Sequence, residues 1–184
     1  MTVNFNPHIM INIKTLGTNV KKPDEKRNYC IYDENKVNFL VAKAPESLSY
    51  IKNYLKTSND ENGILEALYT LDKIADKMNS ETKNGAKALD VIYPVLARFN
   101  DTNSPEIQVM LSGIYRKILV PDAFGPLCNM LHKQINYPVS KYFDPKEETG
   151  GAILEYIRAY GAGYNYNPSK AQNSADLMQT IGLA

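Results

Sequence analysis

Residues 84–120 carry two consecutive amphipathic helices joined by a polar turn, and this pair constrains the fold more than any other stretch. In the first helix the apolar side chains recur at three- and four-residue spacing: Leu89, Ile92, Val95, Leu96 and Phe99. The second helix has the same spacing: Ile107, Met110, Leu111, Ile114 and Ile118. Residues 100–103 favour a turn, and Ser104 before Pro105 is typical of a helix start. The stretch therefore predicts a helical hairpin.

Each helix of this hairpin has one apolar stripe, which neighbouring hairpins must cover, so we expect further copies along the chain. Residues 45–79 form one: Pro45 opens a helix, and Ser58 with Glu61 has capping-box spacing before the next helix. Its apolar positions are Leu48, Ile51 and Leu55, then Ile64, Leu68, Leu71, Ala75 and Met78. Leu48, Ile51 and Leu55 are matched 41 residues later in the 84–120 hairpin, and Ile64, Leu68 and Leu71 are matched 43 residues later.

A third and less regular copy follows. Asp122 is placed to cap a helix through Ile135, and Asp144 with Pro145 is placed to begin another. Their apolar faces are Phe124, Leu127, Cys128 and Leu131, then Ile153, Leu154, Tyr156, Ile157 and Tyr160. Three such hairpins fill residues 45–164. Residues 165–184 are predicted to be a tail whose short amphipathic helix caps the open end of the stack.

Residues 1–44 have a different pattern, with Pro7, Gly17 and Pro23 interrupting the stretch. Apolar residues alternate with polar ones at period two, which is typical of strands: Ile9, Ile11 and Ile13, then Val37, Phe39 and Val41. We therefore expect an N-terminal arm over residues 1–44, either extended or folded as a β-hairpin.

The run from Ala88 to Ile118 resembles a HEAT repeat of the armadillo type. A proline, Pro94, lies in the middle of the first helix, an Asn-Asp turn follows, and a Pro-Glu entry precedes an apolar second helix. The resemblance extends over residues of about 45–160. It implies a mainly α fold, a short right-handed α-solenoid of three hairpins whose second helices line a concave face.

Charge and cysteine content limit the classes of function. The chain has 21 basic and 20 acidic side chains, a net charge of +1, which does not favour nucleic acid or an anionic membrane as a partner. Its 184 residues contain two cysteines, too few for a disulfide framework, and the sequence has neither an evident secretory signal nor a membrane-spanning apolar run. We expect a soluble cytoplasmic protein, with signal-less export left open.

Candidate chemistry is sparse. Cys128 and His132 lie four residues apart, a spacing that suits a metal or a nucleophile with its base, but Cys128 falls on the predicted core stripe and is expected to be a buried structural cysteine. Gly150-Gly151 suits an anion site only weakly, and the acidic pairs at helix starts are interpreted as caps. We identify no catalytic residue and no metal site, and expect no cofactor.

The second helices carry a recurring series of basic and aromatic residues: Lys73, Lys77, Tyr115, Arg116 and Arg158. Such a series suits an extended acidic ligand. The alternative is that these residues are simply the solvated face of the helices. We expect a non-catalytic scaffold or adaptor that binds another protein or peptide on the concave face. The sequence does not indicate an oligomeric state. The alternative is a HEAT-like enzyme or nucleic-acid-binding module whose site the sequence does not reveal.

The register of the stripes leads to a first prediction. Leu111→Asp should abolish folding, since losing a buried leucine costs about 2–5 kcal/mol and an unpaired charge adds to this, against a total stability of roughly 5–15 kcal/mol. Gln108→Ala, outside the stripe, is expected to have little effect. Thermal unfolding followed by circular dichroism measures both, and equal melting temperatures would contradict the register.

Overall fold

A computed structural model describes residues 5–137 and 144–161, which are mainly helical. The α-helices are α1 (Pro7–Lys14), α2 (Glu34–Ala42), α3 (Glu46–Thr57), α4 (Glu61–Glu81), α5 (Tyr93–Leu96), α6 (Pro105–Ile118), α7 (Phe124–Ile135) and α8 (Lys146–Gly161). Short 3₁₀ helices cover Gly85–Ile92, Ala97–Phe99 and Pro121–Ala123.

The second members of successive hairpins pack side by side in chain order, α2 against α4, α4 against α6 and α6 against α8. Two contacts show that α4 and α6 run parallel. Ser104 at the start of α6 bonds Glu61 at the start of α4 over 2.9 Å, and Lys117 near the end of α6 reaches Asp76, 2.8 Å away on α4. These helices form one layer of the molecule.

The first members α1, α3 and α5 form the other layer. α1 packs on α3, where the backbone N–H of Asn6 donates to the Tyr50 hydroxyl over 2.7 Å, and α3 packs on α5. In two places a basic side chain links a hairpin to the turn of the one before it. Arg98 donates to the carbonyl of Ser58 over 2.7 Å, and Lys133 donates to the carbonyl of Asp101 over 2.8 Å.

The apolar stripes predicted for residues 45–160 mostly lie in the core. Ile51, Leu55, Leu68, Leu71, Leu96 and Leu111 are all fully buried. Ser104 caps α6 as predicted, since its hydroxyl accepts from the N–H of Ile107 over 3.3 Å. At α4 the cap is Asp60, not Ser58, and in front of α7 a 3₁₀ turn replaces the cap predicted at Asp122.

The first segment of the hairpin at 84–120 is not a continuous α-helix. It consists of a 3₁₀ helix, the four-residue α5 and a second 3₁₀ turn. Pro94 contributes to this break, because proline has no N–H to donate to the carbonyl four residues earlier. The inward face is nevertheless kept, since Leu89, Ile92 and Phe99 are buried.

The predicted N-terminal strands are wrong, because both alternating stretches lie in helices, α1 and α2. Ile9 and Ile13, four residues apart, are buried on α1, whereas Ile11 between them is 62% exposed. Side-chain oxygens cap each start: Asn6 accepts from the N–H groups of residues 8 and 9, and Asp33 from that of Lys36. In place of an arm, residues 7–42 therefore supply a helical hairpin that packs on α3 and α4.

The loop between α1 and α2 is held by a buried carboxylate, that of Glu66 on α4. It accepts from the ammonium of Lys36 at 3.1 Å and from the backbone N–H groups of Gly17 and Asp33 at 3.1 and 3.0 Å. Gly17 has φ +88°, and a Cβ there would lie 2.3 Å from the backbone nitrogen of Gly63. The close approach of this loop to α4 therefore requires glycine at position 17.

The structure reverses the expectation for Gln108→Ala, which should now be destabilising, because Gln108 is fully buried. Its amide nitrogen donates to the Thr102 carbonyl and the Tyr137 hydroxyl over 2.9 and 2.8 Å, and its oxygen accepts from Gln134 over 3.1 Å. Truncation would leave these groups without their partner, which is costly inside a protein. The predicted tail at 165–184 and its capping helix lie outside the described residues.

The buried pair of Lys36 and Glu66 leads to a second prediction. Lys36→Met should lower the free energy of unfolding by about 3–5 kcal/mol, because it leaves a buried carboxylate without its counter-charge. Lys14→Met, at the exposed end of α1, should change it by less than about 0.5 kcal/mol. Urea unfolding measures both variants, and equal losses would show that the pair does not anchor the first hairpin.

Candidate binding surface

The sequence-predicted site residues lie on α4, α6 and α8, but they do not all reach the surface. Lys73 and Arg158 are exposed, whereas Lys77 and Arg116 are half-buried. Tyr115 is fully buried. We define the second-helix face as a set of polar side chains on α4, α6 and α8 that are not buried, together with Glu34 of α2. Its members are Glu34, Tyr69, Asp72, Lys73, Asp76, Lys77, Arg116, Lys117, Glu155 and Arg158.

Tyr115 therefore does not belong to an exposed series, and its placement there is wrong. Its hydroxyl donates to the side-chain oxygen of Asn100 over 2.5 Å, and its ring centroid lies 5.7 Å from that of Tyr93. Burial raises the pKa of the Tyr115 hydroxyl well above its usual range. The sequence contained the signal, because Tyr115 follows Leu111 by four residues and so shares its face.

At the junction of α4 and α6, one ammonium meets two carboxylates. Lys117 lies 2.7 Å from Asp72 and 2.8 Å from Asp76. Burial raises the pKa of Asp72, although the hydrogen bond and charge of Lys117 oppose it. Burial alone would lower the pKa of Lys117, but its bonds to the two carboxylates raise it overall. Two carboxylates thus share one ammonium at this junction.

At the junction of α6 and α8 the balance is reversed. A single oxygen atom, Oε1 of Glu155, lies 3.5 Å from Nη2 of Arg116 and 2.9 Å from Nη1 of Arg158. The two arginine side chains are 38% and 73% exposed, and that of Glu155 is 32% exposed. Two guanidinium groups thus share one carboxylate and leave a net positive charge at the surface.

Aromatic side chains lie at the other end of the face, between α2 and α4. The rings of Tyr32 and Tyr69 stack with centroids 4.0 Å apart, and the Tyr69 hydroxyl donates to Glu34 over 2.9 Å. Burial and then the Glu34 hydrogen bond raise the pKa of Tyr69 to about 12. The ammonium of Lys73 lies 5.2 Å from the centre of the Tyr69 ring, a cation–π distance.

A concave feature that the sequence did not indicate lies between the turns before α4 and α6. This cavity of about 520 Å³ has Ile64, Phe99 and Ile107 among its lining residues, together with Arg98. The Arg98 guanidinium already donates to the carbonyls of Leu55 and Ser58 and to the side chain of Asn59. Arg98 thus ties the two turns together.

The remaining sequence candidates lie on α7 and α8. Cys128 is buried on α7, as its position on the stripe predicts, and His132 is exposed. Gly150 and Gly151 lie within α8. Across residues 5–137 and 144–161, His, Cys, Asp and Glu side chains form no group of three or more that could hold a metal ion.

Scans against protein-family models, curated proteins and solved structures each returned no match to this chain. Among the helices of the described ranges, none is both long and apolar enough to cross a bilayer.

The charges of the α4–α6 junction lead to a third prediction. Acetic anhydride at about pH 8 should modify Lys117 more slowly than exposed Lys73, because acylation needs the neutral amine and the carboxylates of Asp72 and Asp76 raise the pKa of Lys117. Asp76→Asn should speed the modification of Lys117, since it removes one of the two carboxylates that favour the ammonium. Peptide mass spectrometry after limited reaction gives both rates, and equal rates for the two lysines would exclude the pairing.

Proposed function

We propose that this protein is a non-catalytic scaffold that binds an extended segment of another protein on its second-helix face. The observation that carries the proposal is the parallel packing of α4, α6 and α8, which sets cationic side chains from three helices along one surface. Ser112 and then Arg116 of α6 contact Thr149 and then Glu155 of α8, so these two helices run in the same direction, as α4 and α6 do. A surface built from successive parallel helices offers side chains at regular intervals, which suits one extended ligand.

The proposed architecture is a short right-handed HEAT-like α-solenoid whose second helices line the concave face. Its support is the alternation of first and second helices and the packing of each hairpin on the next in chain order. The hairpin of α1 and α2 adds a unit before the three expected from the sequence, so the proposed solenoid has four.

The proposed contact residues are Lys73, Lys77, Arg116 and Arg158, with Tyr69 taking the aromatic role first assigned to Tyr115. Tyr69 fits that role because it is half-buried, with Lys73 above its ring. Arginine and tyrosine are also frequent energetic anchors of protein interfaces.

A protein partner fits this face better than nucleic acid. Asp72, Asp76 and Glu155 lie among the cations and neutralise part of their charge, whereas a nucleic-acid surface needs a continuous excess of positive charge. We further propose a cytoplasmic location, which the low cysteine content supports and cell fractionation would test.

Site-specific photo-cross-linking tests this function. A photoreactive benzophenone amino acid placed at position 73 or 158, in the protein expressed in its source cell, should cross-link to one and the same partner polypeptide. The matched controls are positions 52 and 87, exposed lysines of the first-helix layer, which should give no such product. Cross-links from the controls but not from 73 and 158 would place binding on the other layer and contradict the proposal.

A further inference from the structure

We infer that Arg116 and Arg158 form a binding site for a carboxylate of the partner, and that Glu155 occupies this site in the free protein. The inference rests on the proposed function and specifies its partner as a protein segment with an aspartate or glutamate side chain. Glu155 would then compete with the partner's carboxylate for the two arginines.

The geometry of the α6–α8 junction supports this assignment. Both guanidinium groups approach the same Glu155 oxygen, at 3.5 and 2.9 Å, from two different helices. Each guanidinium has five N–H donors in a planar array that matches a carboxylate, and the contacts to Glu155 use only part of this capacity. Arg158 is exposed over 73% of its side chain, so an incoming carboxylate has access to it.

The charge of the site suits a carboxylate better than a phosphate dianion. The group of Arg116, Arg158 and Glu155 carries one net positive charge, which a single carboxylate neutralises. A phosphate dianion bound between the two arginines would exceed this charge and would meet repulsion from Glu155.

Glu155 is on the same helix as Arg158, three residues before it, so its contact with that arginine is local. An intramolecular carboxylate in a site for an external one lowers the affinity for the ligand, because the two compete for the same donors. Neutralising Glu155 should therefore strengthen binding, whereas an ordinary structural ion pair predicts only a loss of stability.

The test measures binding of octaglutamate to the full chain by fluorescence anisotropy at low salt. The peptide carries an uncharged BODIPY dye and an amidated C-terminus, so that octaglutamine labelled in the same way is a neutral control probe. Relative to the unmodified protein, Arg158→Gln should weaken octaglutamate binding about tenfold, and Glu155→Gln should strengthen it by a similar factor. Lys52→Gln on α3 removes the same charge as Arg158→Gln from the other layer and should leave the affinity nearly unchanged. Circular dichroism checks that every variant is folded.

Two results would overturn the inference. One is equal binding by Arg158→Gln and Lys52→Gln, which would show that the probe senses only overall charge. The other is a Glu155→Gln variant that melts at a lower temperature without binding octaglutamate more tightly. Either result can occur while cross-linking from positions 73 and 158 still succeeds, in which case the scaffold function stands and only the partner chemistry is wrong. If cross-linking fails and octaglutamate binds as expected, the arginine site stands and the scaffold function is wrong.

Discussion

The fold depends on burying the apolar surface of α4, which extends over more than one side of the helix. The sequence gives this helix one obvious apolar stripe, but its buried residues also include Leu65, Ala67, Thr70 and Ile74, which lie beside that stripe. A helix that is apolar over so much of its circumference must be central in its layer. The layer achieves this with α2 on one flank and α6 on the other, while α3 packs across. The first hairpin is thus required by the composition of α4 and is not an accessory to it.

Polar groups inside the stack fix its register. A purely apolar contact between helices tolerates sliding, whereas a buried hydrogen bond is satisfied in one arrangement only. Glu66 provides such a contact for the first hairpin through Lys36. The last hairpins use a neutral network, in which Gln134 donates to Gln108 and to Thr149, and the hydroxyls of Ser112 and Thr149 lie 3.0 Å apart. The two ends of the chain therefore solve the same problem with different chemistry.

Periodicity predicted the helices of residues 45–160 because their stripes are long and use leucine and isoleucine at helical spacing. It failed at α1, where Ile9, Ile11 and Ile13 give a strand-like alternation and only two of the three are buried. The caps at Asn6 and Asp33 were visible in the sequence and favour helix there. At the surface, sequence alone placed Lys73, Lys77, Arg116 and Arg158 on three related helices. It could not show which cations are paired, because Lys117 and Arg116 find their carboxylates on other helices.

This last point connects stability with binding. The charged contacts of the second-helix face join neighbouring hairpins: Lys117 links α6 to α4, and Arg116 links α6 to α8. The pair of Arg116 with Glu155, whose side chains are 38% and 32% exposed, contributes little free energy, about 0–1 kcal/mol, because water solvates the separated charges almost as well. The stack is held mainly by its buried residues, so Glu155 can leave Arg116 at small cost to the fold. A ligand that replaces Glu155 at Arg116 and Arg158 would therefore be opposed by only a weak contact, and the proposed binding would leave the helices beneath the face undisturbed.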